Sequence, residues 1–321
     1  MLRVLTYHRI ADPARTPHLH PRLVSATPEG FAQQLELLAR RYRVVSLAEV
    51  LAAARGEARL PRRAVLLTFD DAYRDFLDAA WPQLVAQRLP AVLFVPTAYP
   101  GAPERAFWWD RLYRCVANTA LPALEVEPLG TLPLDSPATR WSSTIAVQAY
   151  VKSLPADAAM DFVDALVARL GEPAGCERAV LSWDELRHLA AAGLALCPHT
   201  RTHPLLTRVA PQRACEEARD SLVELRREIG AADAVFAYPS GAHDAASVEA
   251  VRRAGFELAF TQVDGHNDLR RCDLLRLCRT NVTRRTTPRV LELRLQRWMT
   301  WVDRWRHRER GARTPAREVR A

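Results

Sequence analysis

Short apolar runs rich in β-branched residues recur at positions 4–7, 64–69, 91–95, 194–197, 234–238 and 257–261, each bounded by polar or proline-containing turns. Runs of this length without polar alternation suit strands buried on both faces, as in a parallel sheet. Between them the apolar positions take helical spacing. Two segments open on a helix-start signal, Ser46-Leu47-Ala48-Glu49 and Ser182-Trp183-Asp184-Glu185, in which a serine and a glutamate three residues on satisfy each other's free backbone N–H. Strand and helix in alternation predict an α/β fold.

The alternation breaks after residue 95 and resumes near residue 194. An insertion, about residues 101–180, fills the gap. It opens with Phe107-Trp108-Trp109-Asp110, contains helical patterns at 142–152 and 156–170, and has a proline-rich stretch around 121–137. The Trp pair is expected in the core of this cap. A last helical pattern covers 290–307, with Trp298, Trp301 and Trp305 near Leu291, Leu295 and Val302 and arginines elsewhere. Such a face suits docking on the flank of the main domain, and tryptophan opposite arginine also suits a membrane interface. The chain therefore divides into residues 1–290, carrying the insertion, and a basic amphipathic helix and tail at 291–321.

Composition narrows the class. The 321 residues are 49% hydrophobic and 26% charged, which excludes disorder as the main state. No apolar run approaches the roughly 18 residues that span a bilayer, and the first residues lack the apolar core of a secretory signal. A cytoplasmic location is expected, at the inner membrane surface if the last helix lies in the interface. Six dispersed cysteines without a CxxC pair imply free thiols. The net charge of +8 is concentrated at the end, where residues 294–321 hold nine arginines against three acids, and Lys152 is the sole lysine. No nucleic-acid partner is expected.

Three polar clusters follow three of the predicted strands: Thr68-Phe69-Asp70-Asp71, His199-Thr200-Arg201-Thr202-His203 and Tyr238-Pro239-Ser240-Gly241. In a parallel barrel or a doubly wound sheet, the carboxyl ends of the strands share one face, so the clusters can converge. An aspartate pair alone would cap the helical pattern at 72–87, and an i, i+4 histidine pair alone decides nothing. Together, two imidazoles and one carboxylate suit a three-ligand divalent metal with an open position, and a second carboxylate remains free to take a proton. The chemistry this implies is hydrolysis of an amide or ester. Backbone amides of the 239–241 turn could receive the oxyanion, with Gly241 permitting close approach of the backbone to substrate.

These motifs resemble the metal-dependent polysaccharide deacetylases, the NodB-homology family, over residues 2–95 and 181–282. The resemblance implies a deformed (β/α) barrel with a helical insertion and removal of an N-acetyl or other N-acyl group from an amino sugar of a glycan or glycolipid precursor. It makes Asp70 the general base and Asp71, His199 and His203 the metal ligands, with zinc the expected ion. Tyr73 would line the substrate groove or pack on the helix it begins, and Ser240 would offer its backbone N–H. Leu181-Ser182-Trp183-Asp184 and Tyr7-His8-Arg9 are similar to the branch found in exopolysaccharide and lipid-linked sugar pathways.

Two family motifs are altered. Where the family has Arg-x-Pro-Tyr-Gly, this chain reads Ala237-Tyr238-Pro239-Ser240-Gly241, without the arginine that braces the base. The late Leu-x-His motif, whose histidine is the general acid, is replaced by Leu275-Arg276-Leu277-Cys278-Arg279. His8, at the end of the first strand, is the first candidate for that acid and His266 the second. Cys197 is expected to be buried and apolar, and His18 and His20 are not expected to bind metal. Two other readings stay open: deformylation or deacylation of a lipid-linked sugar or other small amide, and a non-catalytic barrel that binds glycan.

Overall fold

The computed structural model describes residues 1–173 and 178–296. Trp298, Trp301 and Trp305 lie outside the described residues. The strands are β1 (Leu2–Tyr7), β2 (Arg9–Ile10), β3 (Val24–Ala26), β4 (Arg43–Val44), β5 (Ala64–Phe69), β6 (Val92–Val95), β7 (Ala123–Val126), β8 (Gly130–Pro133), β9 (Ala195–Pro198), β10 (Val235–Ala237), β11 (Leu258–Phe260) and β12 (Thr280–Asn281). The helices are α1 (Pro28–Arg41), α2 (Leu47–Ala54), α3 (Trp81–Ala86), α4 (Trp108–Asn118), α5 (Pro137–Ser153), α6 (Ala156–Leu170), α7 (Trp183–Ala191), α8 (Pro211–Ile229), α9 (Ala245–Arg253) and α10 (Pro288–Arg294). A strand falls on each of the six apolar runs.

The main sheet is parallel, in the order β12-β1-β5-β6-β9, with β4 on the start of β5. A second parallel pair, β10 and β11, joins it through a bridge between Phe260 and Leu277, just before β12. The ring thus closes on that side. Between β9 and β10 no ladder forms, and the His199 Nδ1 contact with the Ala237 carbonyl, at 2.7 Å, crosses the gap instead. The result is a deformed α/β barrel.

Alternation along the strands sorts the side chains. Leu2 and Val4 of β1, Ala64 and Leu66 of β5, Phe94 of β6, Cys197 of β9, Ala237 of β10 and Phe260 of β11 form one buried cluster, the barrel interior. Leu5, Tyr7, Leu67, Phe69, Leu93 and Leu196 face outward into a second cluster with α1 and α7. Continued past the strand ends, the inward parity falls on His8, Asp70, His199 and Gln262. This is how a purely apolar alternation delivers polar groups to one mouth.

Local signals behave as their chemistry demands at α2 and α7, where both reciprocal Ser–Glu caps form. The helix after β5 departs from the expected 72–87. Asp71 and Ala72 have positive φ (76° and 51°), Tyr73 bridges to Val180, and a π-helical turn at Phe76–Ala80 precedes α3. Neither aspartate caps a helix; the two left-handed residues turn the carboxylates into the barrel mouth.

The insertion has its own core, built by Leu112 and Val116 of α4, Leu124 and Val126 of β7, Val147 of α5 and Val163 and Val167 of α6. Helix α4 and the β7–β8 hairpin were not foreseen: the hairpin falls in the proline-rich stretch, where local composition indicates only loop. Ser136 and Thr139 cap α5, with Pro137 at its first turn, so the helix begins earlier than residue 142. Among the described residues no helix is long and apolar enough to cross a membrane.

Candidate active site

The three polar loops meet at the mouth of the barrel, and their backbones are unusual there. Of the seven non-glycine residues with positive φ among the described residues, five lie in these loops: Asp71, Ala72, Thr200, His203 and Ser240. A left-handed conformation costs an L-residue about 1 kcal/mol or more, and such strain concentrates where geometry serves function.

Asp71, His199 and His203 are all buried, and their potential ligand atoms lie within 4.8 Å of one another. Asp71 Oδ1 is 3.6 Å from His199 Nε2 and 3.3 Å from His203 Nε2. Bonds of about 2.1 Å to a tetrahedral ion place ligands roughly 3.4 Å apart, so the spacing fits. His199 Nδ1 meets the Ala237 carbonyl, which fixes the tautomer with the Nε2 lone pair facing Asp71. Asp71 Oδ1 is buried without a hydrogen bond, an atom of high cost unless a cation takes it. Burial pushes the Asp71 carboxyl up, but His203 foremost, with His8 and His199, holds it well below the ordinary range. Burial lowers His199 to about 4, so its ring is neutral and able to ligate. The residues present therefore fit a divalent cation.

Asp70 adjoins this group and is 1% exposed. The arginine missing from the altered 237–241 motif is replaced in space by Arg279, fully buried, whose Nη1 and Nη2 each donate to an Asp70 oxygen at 2.8 Å. Arg279 Nε donates to the Thr261 carbonyl at 2.8 Å, and Nη1 also reaches Thr68 Oγ1 at 3.3 Å. Burial favours a neutral Asp70 carboxyl; Arg279, then His199, outweighs it and holds the group below the usual carboxylate range. Such a buried, two-pronged pair needs its remaining donors satisfied, as they are here. Asp70 thus has an arginine brace although the altered motif supplies none. Sequence order hid Arg279, since the brace comes from the segment before β12 and not from the 237–241 turn. A polar residue keeping the inward parity of Leu277 was the available signal.

Other expected residues divide. His8 lines the metal-side chamber, and its charge is near enough to pull both Asp70 and Asp71 down. His266 lies at the opposite end of the barrel with Met1 and Arg3, away from the clusters. Tyr73 does not line the groove. It is fully buried behind Trp109, donating to Asp110 Oδ2 at 3.1 Å and accepting from Trp109 Nε1 at 2.8 Å, because the left-handed turn at Asp71 and Ala72 swings it beneath the insertion. Gly241 is also corrected. Its close approach is to Gln262, whose backbone nitrogen would lie 2.4 Å from an added Cβ, and its N–H is engaged by the Tyr238 carbonyl. Ser240 does line both chambers of the cleft.

Cys197 is buried in the barrel interior as expected. His20 packs against Tyr113 and Trp141 and pairs with Gln148 of α5 at 2.9 Å, outside the metal-type group. Of the Trp pair, Trp108 packs on the insertion core, but Trp109 corrects the expectation. It stacks on Phe107 at 4.6 Å, meets the His203 ring edge to face at 4.8 Å, and forms a wall of the cleft.

The cleft runs between barrel and insertion as two chambers that share Trp109, Lys152, His203 and Ser240. One, of about 270 Å³, contains Asp71, His199 and His8; the other, of about 260 Å³, is walled by Trp108, Val151, Leu154 and Met160. Lys152, from the end of α5, reaches Ser240 Oγ at 3.4 Å. Nothing in the local sequence marks Lys152 for the site, because only the docking of the insertion brings it there.

Comparison with known proteins agrees with this geometry. Residues 134–259 match a family model described as polysaccharide deacetylase, a span that includes His199, His203 and Ser240. The poly-beta-1,6-N-acetyl-D-glucosamine N-deacetylase of Escherichia coli (strain K12) is 38% identical over 88 residues, 27% of this chain and 13% of that protein. The matched segment is thus a small part of its curated relative. Among solved structures, the Streptococcus pyogenes deacetylase PplD in complex with acetate aligns with a TM-score of 0.62 and 20% identity, covering 92% of this chain and 98% of that one. IcaB from Ammonifex degensii aligns with a TM-score of 0.58 and 22% identity, over 92% and 97%. These two likenesses establish the fold.

Proposed function

We propose that the chain belongs to the polysaccharide deacetylase family and is a metal-dependent hydrolase that removes the N-acetyl group from an amino sugar of a glycan or glycan precursor. The observation that carries this reading is the buried Asp71–His199–His203 group beside an Asp70 held ionised by Arg279. A divalent cation bound by that group, zinc by its donor set, supplies Lewis acidity toward water and an amide carbonyl.

The chain's own residues supply the rest. Asp70, charged and fixed by two hydrogen bonds, takes the proton of the attacking water. The Ser240 N–H donates to the oxyanion; its neighbours Gly241 and Ala242 have their N–H groups engaged by Tyr238 and Pro239. His8, on the same mouth, gives a proton to the departing sugar nitrogen. Trp109 and the insertion helices limit water at the cleft.

The test is acetate release from N-acetylglucosamine oligomers, with metal content determined on the same sample. Asp70→Asn is expected to keep its metal and lose about 100-fold or more in kcat. Full activity in that variant, or no chelator sensitivity in the parent, would overturn the reading.

A further inference from the structure

The cleft carries a charge pattern that neutral amide hydrolysis does not require. Arg22 and Lys152 line the metal-side chamber, and Lys152 and Arg208 line the other. Among the described residues that line the two chambers the only carboxylate is Asp71, a member of the metal-type group. Among the described residues none of these three cations has an acidic partner, and the polar neighbour of Lys152 Nζ is the neutral Ser240 hydroxyl. Nearby arginines behave differently: Arg213 pairs with Asp157 at 2.6 Å and Arg201 with Glu224 at 2.7 Å. Lys152 keeps contact with solvent, yet the cleft walls, and Arg22 after them, lower its pKa. Like charges gathered in a cleft focus potential of one sign and select ligands of the other.

We propose that the substrate is an anionic N-acyl sugar, whose carboxylate or phosphate is held by Lys152 with Arg22 and Arg208 at its flanks while the amide lies at Asp71, His199 and His203. This rests on the deacylase reading and adds the substrate class to it. Lys152 joins both chambers, so an anion there sits on the same sugar as the amide or on its neighbour.

The test compares ligands differing in charge: tetra-N-acetylchitotetraose with a hyaluronan tetrasaccharide, which brings carboxylates, and N-acetylglucosamine with its 6-phosphate. Binding is measured by calorimetry to the Asp70→Asn protein, with and without zinc, and kcat/KM is measured on the parent. Three partly exposed charge contacts are expected to favour the anionic member of at least one pair on the order of tenfold at low salt, and the advantage should shrink as salt rises. Which pair responds identifies carboxylate or phosphate as the source. Lys152→Met should bring the ratio toward unity, and Arg208→Met should lower it. No anionic advantage, or one that needs zinc and ignores both substitutions, overturns the proposal. Deacetylation of tetra-N-acetylchitotetraose with no anionic advantage would leave the deacylase reading standing alone. A charge-dependent binding advantage lost in Lys152→Met, with no hydrolysis of any ligand, would do the reverse.

Discussion

At the residue scale, the site depends on Arg279, fully buried with Asp70 as its ion partner. Removing one partner of a buried pair leaves an uncompensated charge and costs about 3–5 kcal/mol. Arg279→Met is therefore expected to lose stability of that order in denaturant melts, and the double variant Asp70→Asn, Arg279→Met less than the sum of the single losses. Kinetics supplies a separate readout. Arg279 holds the Asp70 carboxyl down against burial, so without it that pKa rises and the acid limb of the rate profile moves to higher pH. An unmoved limb would exclude Asp70 as the base whose ionisation controls the rate. The two aspartates and the histidine pair were readable as chemistry from their spacing after apolar runs. Their brace was not, since an arginine 209 positions away in sequence carries no local sign of its partner.

At the scale of elements, the insertion is fastened to the barrel by polar contacts that fix the cleft. Arg9, just after β1, pairs with Asp75 at 2.8 Å and Asp110 at 3.2 Å and lies 3.5 Å above the Tyr73 ring, which in turn holds Trp109. His20 fastens the loop before β3 to α4 and α5 through Tyr113, Trp141 and Gln148. Burial lowers its pKa to about 4 against 6.5 unfolded. Between those values the unfolded chain binds a proton that the folded chain refuses. The stability contributed above pH 6.5 is lost as pH falls toward 4, by roughly 3 kcal/mol in all. Urea melts of metal-free protein at pH 7 and pH 4.5 should show a steeper loss in the parent than in His20→Gln. Effects of His199 are common to both and cancel. Equal losses would show that His20 stays accessible to protons in the folded state.

For the whole molecule, the metal-type group links β5 to the segment after β9, and His199 spans the open seam to β10. A cation bound only to the folded chain stabilises it by mass action, about 2.7 kcal/mol at 100 times the dissociation constant. Zinc should raise Tm in the parent and far less in His199→Ala, as scanning calorimetry would show. An equal rise in both would place the bound ion elsewhere.

The α/β class, the interior strands, the two serine–glutamate caps, and the two motifs that bring two aspartates and two histidines together were all legible along the chain. These are legible because strand and helix periods, caps and motif spacing are short-range properties of the chain. Packing in three dimensions was needed to reveal that Arg279 braces Asp70, that Tyr73 supports a wall instead of lining it, that Gly241 makes room for Gln262, and that Trp109 and Lys152 border the cleft. Each is a contact between segments far apart in sequence, set by how the seam closes and how the insertion docks, and no local pattern encodes that geometry.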